Sequence, residues 1–270
     1  MVFGNMANDK GNLILTAAER ANLMETWKYA DLYIRPFLGA EEYINGKDRY
    51  CLWLKNADPS HLHQSKEVMR RIDAVRQARM RSGRAGTRHM AEYPSLFAED
   101  RQPVTPYMIV PRVSSERRRY VPMGLLSPDV IASDAVQIIP NATLYHFGVL
   151  ESNVHMAWMR AVGGRLESRY RYSKDIVYNN FPWPNPTDAQ KAMIEQTAQA
   201  ILDARALYPD SSLADLYDEL TMPPELRRAH QANDRAVMLA YGFDVKTTTE
   251  TLCVAQLFEL YRILTSHSKE

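Results

Sequence analysis

One short stretch of the sequence is close to a catalytic motif: residues 180–183, Asn-Phe-Pro-Trp. Amino-methylating DNA methyltransferases hold a flipped target base with a loop of Asn or Asp, two prolines and an aromatic residue. Here Phe181 stands where the first of the two prolines would be, and the prolines within 182–186 remove three backbone donors in five residues. Such a run predicts a boundary between structural units. We therefore assign no catalytic residue to it.

Other catalytic or cofactor patterns are also missing from the sequence. A site for S-adenosylmethionine needs a glycine-rich turn after a first strand, whereas Gly163-Gly164 precedes an arginine-rich segment. His61 and His63 lie in a polar loop without an acid or a cysteine at ligand spacing, so no metal site is expected. The chain by itself is expected to be non-catalytic and to hold neither a cofactor nor a metal.

Arginine, rather than lysine, is concentrated in three parts of the sequence. A guanidinium forms two parallel hydrogen bonds with a phosphate or with the edge of guanine, which an ammonium cannot do. The clusters are Arg70, Arg71, Arg76, Arg79, Arg81, Arg84 and Arg88; Arg112, Arg117, Arg118 and Arg119; and Arg160, Arg165, Arg169 and Arg171. Interleaved tyrosines favour a nucleic acid as the partner. Two alternatives stay open: a stand-alone interaction module that binds an acidic protein, and solvated arginines paired with acids of the C-terminal helices.

The composition is that of an ordinary globular protein. The 270 residues are 46% hydrophobic and 24% charged with a net charge of +1, so attraction to a nucleic acid must be local. Cys51 and Cys253 lie in apolar runs typical of buried free thiols in a reducing compartment. No apolar run approaches the ~20 residues of a membrane span. We expect a cytoplasmic protein without a membrane partner.

Strand and helix patterns alternate up to residue 182, and only helical patterns follow. Helices are predicted over 16–30, 64–82, 153–162, 188–208, 223–242 and 250–267, and strands over 107–113, 118–126, 136–140, 143–150, 165–173 and 176–181. Asn45-Gly46 between aromatic stretches predicts a β-hairpin. In the helix 64–82 the side chain of Arg79 shares a face with Val68, Ile72 and Val75.

Four segments of the chain resemble a known family. They are FLGAEEYINGKDRYCLWL, VSSERRRYVP, LYHFGVLESNVHMAWMRAVGGRLESRYRYSKDIVYNNFPWP and LADLYDELTMPPELRRAH. They are similar to the C-terminal part of the MmeI-like adenine-specific DNA methyltransferases and their bifunctional restriction–modification relatives. The resemblance implies an α+β fold with a connector and helix over 1–30, a DNA target recognition domain over 31–182 and a helical C-terminal domain over 183–270.

The resemblance also implies a function. The chain would recognise a sequence in double-stranded DNA, while a methylase domain elsewhere in the parent protein flips an adenine and methylates N6 with S-adenosylmethionine. Eight arginines are expected to contact the DNA backbone: Arg70, Arg76, Arg79, Arg81, Arg84, Arg88, Arg117 and Arg118.

Base contacts are expected from the strand 165–173. In an extended strand Glu167, Arg169 and Arg171 share one face, and Leu166, Ser168, Tyr170 and Tyr172 share the other, which is suited to a core. A carboxylate and two guanidiniums suit a cytosine amino group and guanine edges. The resemblance adds three further base-contacting candidates: Arg112, Ser133 and Asp134.

Overall fold

A computed structural model of the chain describes residues 1–266 and shows the α+β fold that the sequence predicts. The strands are β1 Val2–Phe3, β2 Ile14–Leu15, β3 Ile34–Leu38, β4 Tyr50–Leu52, β5 Tyr107–Pro111, β6 Val113–Ser114, β7 Gly124–Leu126, β8 Ile131–Ala132, β9 Val136–Pro140, β10 Gly164–Leu166 and β11 Arg169–Arg171. The helices are α1 Ala17–Thr26, α2 Ala30–Tyr33, α3 Ala40–Asn45, α4 Pro59–Leu62, α5 Lys66–Met80, α6 Ala85–His89, α7 Leu144–Leu150, α8 Asn153–Val162, α9 Asp188–Ala206, α10 Leu213–Leu216, α11 Pro224–Ala240 and α12 Glu250–Ser266.

The first sheet has the strand order β1-β9-β5-β7 and is antiparallel. Every residue of β5 is buried, because alternate side chains face two different cores. Met108 and Val110 belong to the larger core, whereas Tyr107 and Ile109 belong to a smaller one. Covering on both faces explains why the strand is a continuous apolar run rather than an alternating one.

The second sheet has the order β2-β4-β3-β8, and here one prediction was wrong. Asn45-Gly46 does not form a hairpin turn, because Asn45 ends α3 and Gly46 is its left-handed C-cap with φ +63°. The carboxylate of Glu42 accepts a hydrogen bond from the Gly39 amide at 2.9 Å and caps the other end of α3. Strands β3 and β4 still pair antiparallel, but a helix connects them.

Residues 1–30 are part of the folded unit rather than a connector. Strand β1 pairs with β9, β2 pairs with β4, and Leu13, Leu23 and Trp27 are buried in a core with α5. A capping box begins α1 at the predicted helix start, since the Thr16 hydroxyl accepts from the Glu19 amide and the Glu19 carboxylate accepts from the Thr16 amide.

The third sheet has the order β10-β11-β6 and corrects the predicted strand 165–173. That segment is a hairpin, in which Leu166 pairs with Arg169 across a turn formed by Glu167 and Ser168. The backbone of Glu167 is left-handed, with φ +58°. The segment 176–181 is not a strand either, because a π-helical turn, Lys174–Tyr178, begins at the capping hydroxyl of Ser173.

The segment 143–150 was predicted as a strand and is helix α7. Its side chains Phe147, Val149 and Leu150 are all buried. A short run of consecutive buried apolar residues does not distinguish a helix from a strand by its periodicity. The other predicted helices are present, and α9 begins with a capping box between Thr187 and Gln190. The last helix was predicted to reach residue 267, which lies outside the described residues.

One core joins the segments on either side of residue 182. Helix α9 lies against α7 and α11, and their apolar side chains belong to the same cluster as those of β5 and α8. A buried ion pair crosses this junction, where Arg205 lies 2.9 Å from the carboxylate of Glu151. At Gly148 an added Cβ would lie 2.7 Å from Ile194 Cγ2, which shows how closely α7 and α9 approach.

Candidate nucleic-acid interface

The arginine stretch 70–88 is divided between two helices and is not one helix. Arg70 and Arg76 lie on α5, Arg84 is the N-cap of α6, and Arg81 caps the end of α5. Arg76, Arg81, Arg84 and Arg88 are exposed. Arg70 is also exposed, but its guanidinium makes two hydrogen bonds of 2.7 Å to Glu67.

Arg79 is buried, and its predicted phosphate role is wrong. The residue is 1% exposed and its guanidinium donates to five backbone carbonyls. These acceptors are Ala7 at 2.8 Å, Asn8 at 3.1 Å, Met90 at 3.0 Å, Tyr93 at 2.9 Å and Leu96 at 2.7 Å. Arg79 therefore ties the N-terminal segment and the loop after α6 to α5.

The exposed arginines near Arg79 border a groove on the surface. This basic groove is lined by Asn8, Lys10, Arg81, Arg84 and Thr87, among others. Lys10 has φ +55° and Asn8 has φ +46°, so the N-terminal segment turns sharply beside α5 and α6. Three cationic side chains along one groove are the arrangement expected for a polyanion such as a nucleic-acid backbone.

Arg117 and Arg118 lie in the loop between β6 and β7, beside a cleft that reaches α12. Arg117 is exposed, whereas Arg118 is half-buried and burial lowers the pKa of its guanidinium. The cleft also contains Arg160, which is paired with Glu250 at 2.8 and 2.9 Å. The predicted pairing with acids of the C-terminal helices is thus present for Arg160.

Strand β11 of the β10–β11 hairpin has one exposed side and one buried side, whereas all of β10 is exposed. Tyr170 is 9% exposed and lies on the inner side, where Arg165 stacks on its ring at 4.0 Å. Arg169 and Arg171 alternate with it and are exposed. The register places Leu166 directly opposite Arg169, and Arg171 is two residues farther along β11, so all three side chains leave the sheet on the same side. We call this set the hairpin face: Leu166, Arg169 and Arg171.

Glu167 stands at the tip of the hairpin rather than in the strand. Its carboxylate accepts from Arg169 Nη2 at 2.8 Å, and both side chains are largely exposed. In residues 1–266 no hydrogen bond or ion pair of the Arg171 guanidinium is found. The carboxylate and the two guanidiniums remain neighbours, although a turn and not a shared strand brings Glu167 to them.

Arg112 and Arg171 line a second groove, which we call the hairpin groove. Its other lining residues include Gln137, Gly164 and Lys174. Arg112 lies over the ring of Phe3 at 4.9 Å and donates to the Asp134 carbonyl at 3.1 Å. This bond brings the Asp134 loop to the hairpin groove, so two of the base-contacting candidates lie close together.

Ser133 is the one base-contacting candidate that the fold places inside. It is 4% exposed, its amide donates to the Leu38 carbonyl at 2.8 Å, and its hydroxyl accepts from the Ala135 amide at 3.3 Å. A direct contact between Ser133 and a base is therefore not retained. Asp134 beside it is half-exposed.

The Asn180 loop, from which a catalytic role could have been argued, has a structural role. The Asn180 amide donates to the carbonyls of Asp175 at 2.8 Å and Ile176 at 3.2 Å, and so closes the π-helical turn. Phe181 is buried among the rings of His155, Trp158 and Trp183.

Sequence reasoning missed Lys10, Leu166 and Lys174. Leu166 was predicted on the inner face, because in one continuous strand Leu166 and Arg169 point to opposite sides of the sheet. The hairpin turn at Glu167 and Ser168 places them on the same side. Lys10 is distant in sequence from the arginines of the basic groove, whereas Lys174 follows Arg171 by three residues but was not counted with the arginine clusters.

Within 1–266 no group of three or more His, Cys, Asp and Glu side chains is gathered for a metal ion. None of the helices in that range combines the length and the apolar character that crossing a bilayer requires.

Comparisons with known proteins agree with this geometry. The family models described as "MmeI, target recognition domain" and "MmeI, C-terminal domain" match residues 1–185 and 186–268. DNA methyltransferase A of Bacillus subtilis (strain 168) is 40% identical over 241 residues, which are 88% of this chain and 27% of that protein. The Type IIL restriction-modification enzyme MmeI, solved in complex with DNA, is 44% identical with a TM-score of 0.93 over 98% of this chain and 35% of its own. The chain thus spans about a third of each relative or less.

Proposed function

This chain belongs to the MmeI family, as its target recognition domain followed by its C-terminal domain, and from that premise we propose that it recognises a sequence in duplex DNA. The family resemblance predicted from the sequence is confirmed. The relatives are a DNA methyltransferase and a restriction-modification enzyme solved with DNA. We propose that this chain is the specificity portion of an adenine-N6 methyltransferase of the restriction–modification type.

The hairpin face is the observation that best supports DNA recognition. Arg169 and Arg171 project from one strand on one face, ~6.7 Å apart along it, which is about two base steps of duplex. Each guanidinium suits the O6 and N7 acceptors of guanine, and the Glu167 carboxylate suits the amino group of cytosine. Arg112 and Asp134, beside the same hairpin, are proposed to extend these base contacts.

Contacts with the DNA backbone are proposed for exposed arginines and for the half-buried Arg118. The basic groove supplies Arg81 and Arg84, with Lys10 added by the structure. The remaining members of the backbone set are Arg70, Arg76, Arg88, Arg117 and Arg118. Such contacts position the duplex and carry no sequence information by themselves.

Methyl transfer is proposed to belong to a methylase domain that works together with this chain. S-adenosylmethionine would bind there and supply the methyl group, while residues 31–182 hold the target site and residues 183–270 brace them. The buried junction of Glu151 and Arg205 fits this bracing role. We place the protein in the cytoplasm, where DNA is available and the buried thiols of Cys51 and Cys253 stay reduced.

Selection from a library of randomised duplexes tests the proposal with the chain as it stands. Enrichment of a defined sequence is expected, with an affinity that falls steeply as salt rises because phosphate contacts release counterions. A matched library of single strands is the control. Retention of all duplexes alike would overturn sequence recognition. Retention of none, together with salt-tolerant capture of an acidic protein, would favour the protein-binding alternative.

A further inference from the structure

We propose that Leu166 is a further specificity-determining residue, which recognises thymine through its 5-methyl group. The proposal rests on the proposed function, because it assumes that the hairpin face meets the major groove of DNA. It adds an apolar contact to a surface whose other candidates are all charged.

The position of Leu166 follows from the two-residue turn of the hairpin. Leu166 and Arg169 form a directly opposed pair, so their side chains leave the sheet on the same side with Cβ atoms ~4.5–5.5 Å apart. Tyr170 and Ser114 form the pair on the buried side. Leu166 is therefore turned away from the core and toward the same space as the arginines.

Leu166 lies on the edge strand β10 and packs into none of the cores of the described residues. Its relative exposure is 43%, and it belongs to none of the hydrophobic clusters of residues 1–266. Its neighbours on the hairpin face are Arg169 and, at the tip, Glu167. An aliphatic side chain between charged groups is poorly placed for stability and well placed for an apolar contact with a ligand.

The chemistry of the major groove contains one apolar recognition element. Guanine and adenine present acceptors at N7, cytosine presents an amino donor, and thymine presents a methyl group. Arginine and glutamate meet the polar elements, and among the hairpin side chains leucine is the one suited to the methyl group. The Cβ atoms of Leu166 and Arg169 lie ~4.5–5.5 Å apart, which is close to one base step of ~3.4 Å. The two side chains should therefore contact neighbouring base pairs.

Gly164 leaves the path to this surface open. It pairs with Arg171 in the row beside Leu166, and an added Cβ there would meet no heavy atom within 4 Å. Gly164→Ala should therefore leave the melting temperature unchanged. If a base edge approaches this row, the same change should weaken binding to the selected duplex.

The test uses the whole chain and a duplex selected from the randomised library. Each thymine is replaced in turn by uracil, which removes the 5-methyl group alone. At one position the affinity should fall about four-fold, since burying one methyl group is worth about 0.8 kcal/mol. In Leu166→Ala this sensitivity should disappear, whereas Leu207→Ala, another exposed leucine, should retain it. Melting temperatures of both variants control for folding.

The outcomes separate the two proposals. A selected site without a methyl-sensitive thymine, or equal sensitivity in the native chain and Leu166→Ala, overturns the role of Leu166 and leaves DNA recognition standing. Failure to enrich any sequence overturns both.

Discussion

The stretch 70–88 and the hairpin Gly164–Arg171 are both rich in arginine, yet the fold buries one arginine of the first, Arg79, and exposes Arg169 and Arg171 of the second. In the first, Arg79 enters the interior, where five carbonyls converge on its guanidinium. In the second, the strand register turns Arg169 and Arg171 outward, and Arg169 finds a partner in Glu167. The supply of acceptors, rather than the density of arginine in the sequence, decides which guanidiniums remain free for a ligand.

The largest expected effect comes from Arg79→Met, which keeps an aliphatic stem and removes the guanidinium. An unsatisfied buried polar group costs about 1–3 kcal/mol, and several carbonyls would lose their donor together. The free energy of unfolding should fall by ~3 kcal/mol or more in a urea titration. Arg76→Met is the matched control on the exposed side of α5 and should stay within ~0.5 kcal/mol of the native chain. Equal midpoints for the two variants would remove the basis of the comparison.

Lowering the pH should destabilise the contact between His155 and Tyr172, the residue that follows β11, whereas Arg79 stays charged. His155 bonds the Tyr172 hydroxyl at 2.8 Å, and burial lowers its pKa to about 3 from 6.5. Because the folded-state pKa is depressed, this stabilising contribution is complete above pH 6.5 and is lost as the pH falls toward 3.

The contribution of His155 to the free energy of unfolding should fall by ~1.4 kcal/mol per pH unit, or by about 2–3 kcal/mol between pH 6.5 and 4.5. Urea unfolding of the native chain and His155→Gln across that range measures the difference. The variant should lack this part of the slope, whereas the remaining buried groups, including His230, act in both proteins. Parallel curves would show that His155 does not titrate as its surroundings suggest.

Glu167→Ala combined with Arg169→Ala should change which sequence is selected. Loss of one well-formed base contact costs about 1–3 kcal/mol of discrimination, so one position of the site should become relaxed or altered. In a parent enzyme, sequencing of the methylated sites gives the same information. Arg165→Ala is the control, since this arginine lies on the other side of the sheet against Tyr170. An unaltered site in the double variant would sink the assignment.

The smallest effect on sequence choice is expected from Arg76, Arg81 and Arg84 changed together to Gln. Each contact with a phosphate adds ~0.9 to the slope of log affinity against log salt, so the slope should fall by about three for every duplex alike. Arg228, Arg235 and Arg262 changed to Gln form a matched triple in the C-terminal helices, and the slope should hold. Weakened binding to one sequence alone would move these residues to base recognition.

Local signals in the sequence predicted much of the fold. The capping boxes at Thr16 and Thr187 marked helix starts, and the apolar runs of β5 and β9 marked the central strands. The spacing of Arg79 also places it on the apolar face of α5, yet the role predicted for it was a phosphate contact, which was wrong. Two predictions were wrong, the hairpin at Asn45-Gly46 and the strand over 143–150. In each case the local sequence is compatible with a helix as well as a strand, and tertiary packing selects the helix.

The candidate site was less predictable than the fold. Arg169 and Arg171 were placed on one exposed face, but the turn that moves Leu166 onto that face was not foreseen. The Arg112 contact with Asp134 spans residues distant in sequence, and only the resemblance pointed to them. The buried position of Ser133 depends on a strand pairing with Leu38 that has no local signature.

The left-handed backbone of Glu167 limits how the base recognition that we propose for this hairpin can change over evolution. At φ +58° asparagine, aspartate and glycine are favoured, unbranched side chains are tolerated at some cost, and valine, isoleucine and threonine are disfavoured. Few types of residue should therefore replace Glu167 in related proteins that keep this turn. Arg169, in ordinary extended backbone, has no such restriction. New target sequences should arise more freely through position 169, with position 167 adapting among the few residues that its turn accepts.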